Sequence, residues 1–302
     1  MITYVLHKMA DENQVIIERI SFPEYEHPRH NCNFLPRPDD EDVASLDYDT
    51  EIARTNLTRY ADLISYPVSH TYTFTTSEVT TILSWIDTGI ICGKSSNLFK
   101  EDLEPIIDRM QKVWISGDWF VRFDTCSPKD GIGTLPIRSA KQMMDMIITS
   151  KRSRTALQGG YTTLYFVRFD PTWDPSRELR VFIHNRQITA ISQYSPYQLS
   201  SFSTWTDSEL TSLTHNMVQY LTPIISRVCE HIGTDNIVCD ILVRGTDNIV
   251  GDILVRDTNA FHIIEFNSFG YWLASGGVLF HWLTEQDKLY NQAHTIHFKI
   301  LI

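Results

Sequence analysis

The sequence predicts a mixed α+β fold. Three observations point to it: strand-like runs that pair as hairpins, amphipathic stretches with helix caps between them, and a composition near the globular average. Apolar residues make up 42% and charged residues 21% of the 302 positions, which excludes disordered, collagen-like and disulfide-scaffold chains. The five cysteines (Cys32, Cys92, Cys126, Cys229, Cys239) are scattered without a C-x-x-C pair. That is the pattern of reduced thiols, not of a zinc ribbon. The first thirteen residues hold too short an apolar run for a signal-peptide core. No run approaches the roughly 20 apolar residues a membrane helix needs. A cytoplasmic, monomeric protein that engages no membrane is expected.

Taken in order, Ile2–Leu6 and Val15–Ile17 read as a hairpin around Asp11-Glu12-Asn13. Residues 22–42 hold four prolines and the run Asp39-Asp40-Glu41-Asp42, so they read as loop. A helix is expected near 77–87, with Val79, Ile82 and Trp85 on one face. A second runs from Lys100 to Val113, acidic at its start and basic at its end, as the helix dipole favours. A strand follows at 119–123. Ser139 and Gln142 form a capping box for a helix through Lys151. Strands at 163–169 and 178–184 flank a Pro- and Asp-rich turn, and 187–193 pairs back onto the second. Thr206 and Glu209 cap a long helix to Ile232, with Leu210, Leu213, Met217, Leu221, Ile224 and Val228 inward and a kink at Pro223.

Residues 233–244 then recur as 245–256, with Cys239 replaced by Gly251 as the single change. Two copies cannot share one strand, so one is surplus to the fold.

The net charge of −11 argues against a nucleic-acid reader, whose phosphate backbone it would repel. Within that average, residues 1–51 carry twelve acidic and four basic side chains, and residues 111–190 carry twelve basic and seven acidic. A locally basic stretch in an acidic protein suits a small anion, and it equally suits scattered solvated charges. Gly89–Ser95 imitates a phosphate loop but has three residues between its glycines where four are needed, so it is rejected. There is no H-E-x-x-H, no G-x-S-x-G and no Cys/His cluster at metal spacing. His262 and His281 read as packed histidines.

The C-terminal segment carries more. Asp252–Arg256 and Phe261–Asn267 read as a hairpin joined by Asp257-Thr258-Asn259. Glu265 and Asn267, two apart on a strand, share a face. Asp252 on the facing strand brings a third oxygen donor, and such an all-oxygen set suits a hard cation such as magnesium. The same pattern also describes a surface hairpin with a wet polar face. Arg122 and Lys129 sit on and just after a strand, and Arg168 and Arg180 occupy two strands taken as neighbours. Such cations could offset phosphate charge.

The series Phe120-Val121-Arg122, Ser127-Pro128-Lys129-Asp130, Val167-Arg168, Glu178–Ile183, Ala190–Gln193, Asp252–Leu254 and Ile264–Gly270 resembles the cell division cycle protein 123 family, in order, over about residues 115–283. Leu279–Trp282 and the terminal strand 297–302 also fit. The resemblance implies an ATP-grasp-like fold of two α+β lobes, with ATP and magnesium in a cleft between them. It divides the chain into an N-terminal region 1–115 and a nucleotide-binding region 116–302. It further implies an assembly chaperone for eukaryotic translation initiation factor 2, with the gamma subunit as client. By the same resemblance Asp252, Glu265 and Asn267 would hold magnesium. Arg122, Ser127, Lys129 and Asp130 would lie at the phosphates, Arg168 and Arg180 would line the nucleotide cleft, and backbone near Tyr165–Val167 would meet adenine.

The chain departs from the family at Arg122, where lysine is usual, at Glu265 for aspartate, and at Ser268 for proline. The repeat makes Asp240 a rival to Asp252. Asp252 is preferred because thirteen residues separate it from Glu265, as a direct hairpin requires, against twenty-five for Asp240. Two other readings stay open: an ATP-grasp ligase that forms an amide through an acyl phosphate, and a catalytically inactive relative.

Overall fold

The computed structural model describes residues 14–22, 48–93, 99–244, 260–273, 275–291 and 294–302. Along the chain the elements are β1 (Gln14–Ile20), α1 (Tyr48–Arg54), β2 (Val68–Thr73), α2 (Thr76–Cys92), α3 (Lys100–Lys112), β3 (Trp119–Arg122), α4 (Ala140–Ile148) and α5 (Lys151–Gln158). They continue as β4 (Thr163–Arg168), β5 (Glu178–His184), β6 (Gln187–Gln193), α6 (Asp207–Ile232), β7 (Ile237–Val243), β8 (Phe261–Ser268), α7 (Gln286–Leu289) and β9 (Thr295–Leu301). The α+β class is borne out. Among the described residues no helix is long and apolar enough to cross a membrane.

The chain forms two units, Thr55–Trp173 and Met1–Arg54 with Asp174–Ile302. The boundary expected near residue 115 therefore falls inside the first unit, between α3 and β3.

In the unit Thr55–Trp173, β2, β4 and β3 form an antiparallel sheet with β4 central. Trp119, Val121, Leu164 and Phe166 pack its inner face against Ile82 and Ile86 of α2, Leu103 and Ile106 of α3, and Met143 and Ile147 of α4. Helix α2 starts at a full capping box, Thr75 with Glu78, and ends on Gly93 in a left-handed conformation. Residues 89–93 of the rejected phosphate loop are thus the end of a helix, and 94 and 95 lie outside the described residues. Gly89 is there for closeness: a Cβ would meet the Ile148 carbonyl oxygen at 2.2 Å. The helix expected from Ser139 through Lys151 is two. Only half of the capping box forms around Ser139, whose hydroxyl accepts from the Gln142 N–H. At Ser150 a second hydroxyl caps a new start, α5.

The second unit carries a six-stranded sheet in the order β1-β9-β6-β5-β7-β8. β9 pairs in parallel with β1 and β6, and the remaining pairs are antiparallel. The N-terminal hairpin partner at residues 2–6 lies outside the described residues; β1 pairs with β9. Helix α6 runs unbroken through Pro223, with Leu210, Leu213, Met217, Leu221, Ile225 and Val228 buried. Ile225, not Ile224, continues the stripe because four residues return it to the same face. The Arg54 guanidinium donates to the Gly233 carbonyl oxygen at the end of α6 at 2.9 Å. His281 is packed, as expected: its Nδ1 accepts from the Leu283 and Thr284 N–H groups.

Near β9 the Glu285 carboxylate accepts from Lys299 Nζ at 2.5 Å, Lys288 Nζ at 2.9 Å and the His281 N–H at 3.0 Å. Burial pushes the Glu285 carboxyl up, but these donors outweigh it and bring it down to about 2 from an ordinary 4.5. A depressed folded value stabilises fully above the unfolded one and is lost as pH falls from about 4.5 toward 2. We expect Glu285 to contribute about 3 kcal/mol at pH 7. Urea unfolding at pH 5 and pH 2 should show that share of the acid loss in the wild type and not in Glu285→Gln.

Candidate functional site

Strand β7 reads Ile-Val-Cys-Asp-Ile-Leu-Val, and every residue in it is buried. A charge inside such a run is costly unless paired. The pairing comes from strand register. Arg180 of β5 stands directly opposite Asp240, and Asp240 stands opposite Glu265 of β8. The same line continues across the sheet to Ser192 of β6, Lys299 of β9 and Glu18 of β1. Cross-strand partners share a face, so six polar residues from six strands form one row.

At its β8 end the row becomes a cluster. Arg180 donates through Nε and Nη2 to the two Asp240 carboxylate oxygens, both at 2.8 Å. Its Nη1 donates to the Gly276 carbonyl oxygen at 2.8 Å, and its guanidinium lies 5.0 Å from the Tyr194 ring centroid. Asn267 Nδ2 donates to Asp240 Oδ2 at 3.0 Å and approaches Glu265 Oε1 at 3.4 Å. Burial pulls the Arg180 guanidinium down and Asp240 more than offsets it, so Arg180 stays cationic. Cys239, beside Asp240, is no nucleophile: burial, reinforced by the carboxylates, pushes its thiol well up.

Asp240 and Glu265 bring two carboxylates beside the Arg180 guanidinium, and the Asn267 side chain brings an amide. Among the described residues no group of three or more His, Cys, Asp or Glu side chains gathers as a metal site. The donor set here is two carboxylates and an amide. A set of carboxylates and an amide fits a hard divalent cation.

This placement revises the expected site. The strand facing β8 is the first copy of the repeat, so Asp240 holds the position expected for Asp252. Asp252 and the expected turn 257–259 lie outside the described residues. Glu265 and Asn267 share a face and converge, as their spacing predicts.

In the unit Thr55–Trp173 the basic candidates separate. Arg122 is buried, opposite Tyr165 on the same face, and donates through Nε to the Phe123 carbonyl oxygen at 3.2 Å. Ser127 is half-buried and Lys129 exposed, both beyond β3. Asp130 caps α5: it accepts from Ser150 Oγ at 2.5 Å and the Arg152 N–H at 3.3 Å. Arg168 lies on the opposite face from Arg122, exposed, with its guanidinium 4.2 Å from the Trp119 ring centroid. The two strands that carry Arg168 and Arg180 are not adjacent strands of one sheet: β4 and β5 belong to different sheets. The Tyr165–Val167 backbone sits mid-sheet, paired with β2 on one side and β3 on the other. Those ladders take up the groups expected to meet adenine. Burial, then the Asp124 carboxylate, pushes the Tyr165 hydroxyl up.

The sequence pattern of the D123 family matches residues 144–302, more than half of the chain. The chain belongs to the D123 family. Two solved structures share the D123 fold seen here, Cdc123 from Schizosaccharomyces pombe and a C-terminally truncated form of it. Their TM-scores are 0.55 and 0.56 at 12% and 13% identity, and in each the match covers 83% of this chain and 96% of the other. At such identity the likeness shows the fold alone. An ATP-grasp RimK domain protein from Sphaerobacter thermophilus aligns at a TM-score of 0.29 and 12% identity, over 72% of this chain and 60% of that one. That is too slight to bear on the D123 fold. No curated protein matches this D123 chain.

Proposed function

We propose that this protein binds ATP with magnesium through an ATP-grasp-like fold and acts in the cytoplasm as an assembly chaperone for eukaryotic translation initiation factor 2, with the gamma subunit as client. The observation that carries the nucleotide half is the Asp240, Glu265 and Asn267 cluster. Its two carboxylates and its amide are the kind of oxygen donors a magnesium ion takes, and the ion would in turn offset phosphate charge. Asp240 takes the role expected for Asp252. Arg122, Ser127 and Lys129 stay as candidates for the phosphates. The client half rests on membership of the D123 family and on the fold shared with Cdc123.

Calorimetric titration with ATP, with and without magnesium, tests the first half. Magnesium should tighten binding in the wild type. Glu265→Gln and Asn267→Leu should each lower that magnesium-dependent affinity about tenfold or more, the scale of a lost or misplaced ligand. Wild-type affinity unchanged by magnesium would remove the reading. For the second half, the protein is mixed with isolated gamma subunit and labelled ATP. A stoichiometric complex without turnover supports the chaperone, whereas ADP release coupled to a new amide would replace it with a ligase.

A further inference from the structure

The sequence of β7 is written twice in this chain. Residues 245–256 repeat 233–244, with glycine at 251 for Cys239 as the single change. The repeated unit holds more than the strand. It includes Asp235, whose carboxylate accepts from Arg186 Nε at 2.7 Å, and Asn236, whose side-chain oxygen accepts from the Asn185 N–H at 2.8 Å. These bonds tie the approach to β7 to the turn between β5 and β6. Asp247 and Asn248 stand at the matching places in the second copy, and the buried aspartate is duplicated as well, at 240 and 252.

Chain length permits either copy to fill the position. β7 follows α6 after 4 residues and precedes β8 by 17. With Ile249–Val255 in its place, those connections become 16 and 5. Closure entropy follows the logarithm of each length, so the trade is close to neutral. Gly233, whose left-handed conformation ends α6, precedes both connections and stays where it is. One side chain separates the two registers. Cys239 is fully buried, opposite Val181 of β5 and Phe266 of β8. Glycine there leaves a small void and weakens the strand, which disfavours the second register about thirtyfold. Such a gap leaves about 3 in 100 molecules in the minor state.

We propose that the chain exchanges between two registers of one sheet position, with Ile237–Val243 between β5 and β8 in the major state and Ile249–Val255 there in the minor one. Two packings of nearly the same sequence then form a switch whose states differ little in free energy. The passage needs β7 to leave its two ladders, which is a local opening and not global unfolding. It carries Cys239 from the core into a 16-residue connection, where its thiol meets solvent, while α6 and its Cys229 stay in place.

Thiol labelling of the full chain in native buffer tests the exchange. N-ethylmaleimide is added in excess, and the modified cysteines are located over time by mass spectrometry. Cys229, 1% exposed on α6, reports openings that the exchange does not need. Cys239 should react at least about tenfold faster than Cys229. Gly251→Pro changes no residue of β7 but bars the second copy from a central strand, because proline cannot donate to the ladder. It should slow Cys239 to the Cys229 rate. Gly251→Cys makes the two strands identical, so the minor register should rise to about half and Cys239 labelling about fifteenfold. Equal rates for Cys239 and Cys229 in the wild type would overturn the exchange. So would a Cys239 rate that neither substitution moves.

Discussion

Asp240→Ala is expected to lower the unfolding free energy by about 3–5 kcal/mol and to abolish magnesium-dependent ATP binding. The stability loss follows from what stays behind: a buried Arg180 cation left with one carbonyl and an aromatic ring, the uncompensated charge that makes breaking such pairs costly. Asp240→Asn keeps the shape and an acceptor for one N–H, so it should cost less, about 1–3 kcal/mol. It should still lose cation binding, because the amide brings no charge. The two variants together separate the fold from the site. The comparison is made in a chain lacking residues 245–256, which repeat the same sequence with an aspartate at 252. Urea unfolding and calorimetry read the two effects. A loss below about 1 kcal/mol in Asp240→Ala would contradict the buried pair.

The second large effect concerns the repeat. Deleting 245–256 leaves β7 intact and shortens its connection to β8 from 17 residues to 5. The shorter loop should stabilise the protein by about 1 kcal/mol through its lower closure entropy. Deleting 233–244 instead supplies the strand from the second copy, with Gly251 where Cys239 is fully buried. That swap removes a core side chain and puts glycine in a strand, so this variant should be less stable than the first by about 2 kcal/mol. Both should bind ATP with magnesium. Loss of binding after the first deletion, with retention after the second, would return the role to Asp252.

How much of this was legible in the sequence varies by feature. Capping at Thr206 and Glu209 and the shared face of Glu265 and Asn267 are local, set by spacing, and hold. The break at Ser150 was hidden by a continuous amphipathic pattern on both sides of it. The preference for Asp252 rested on loop length, which grows costly only slowly. It cannot outweigh a cysteine against a glycine in a buried strand. A signal for the cluster was present all along: one aspartate inside an otherwise apolar run, in both copies. That Arg180 pairs with Asp240, and that Ser192 and Lys299 continue the row, was not readable, because those alignments come only through sheet order. Arg168 and Arg180 misled for the same reason, since strands close in sequence need not share a sheet.

The place of β9 between β1 and β6 also governs the order in which the polypeptide can be built. The unit Thr55–Trp173 is contiguous, and all its strands and helices are synthesised before β5. The six-stranded sheet cannot close until β9 arrives, so β1 must wait for β2 to β8 to be made before it can pair with β9. A nascent chain arrested before Thr295 would carry a folded first unit and an unzipped second one, and the arginine–aspartate pair on β5 and β7 would have to form before β9 joins the sheet.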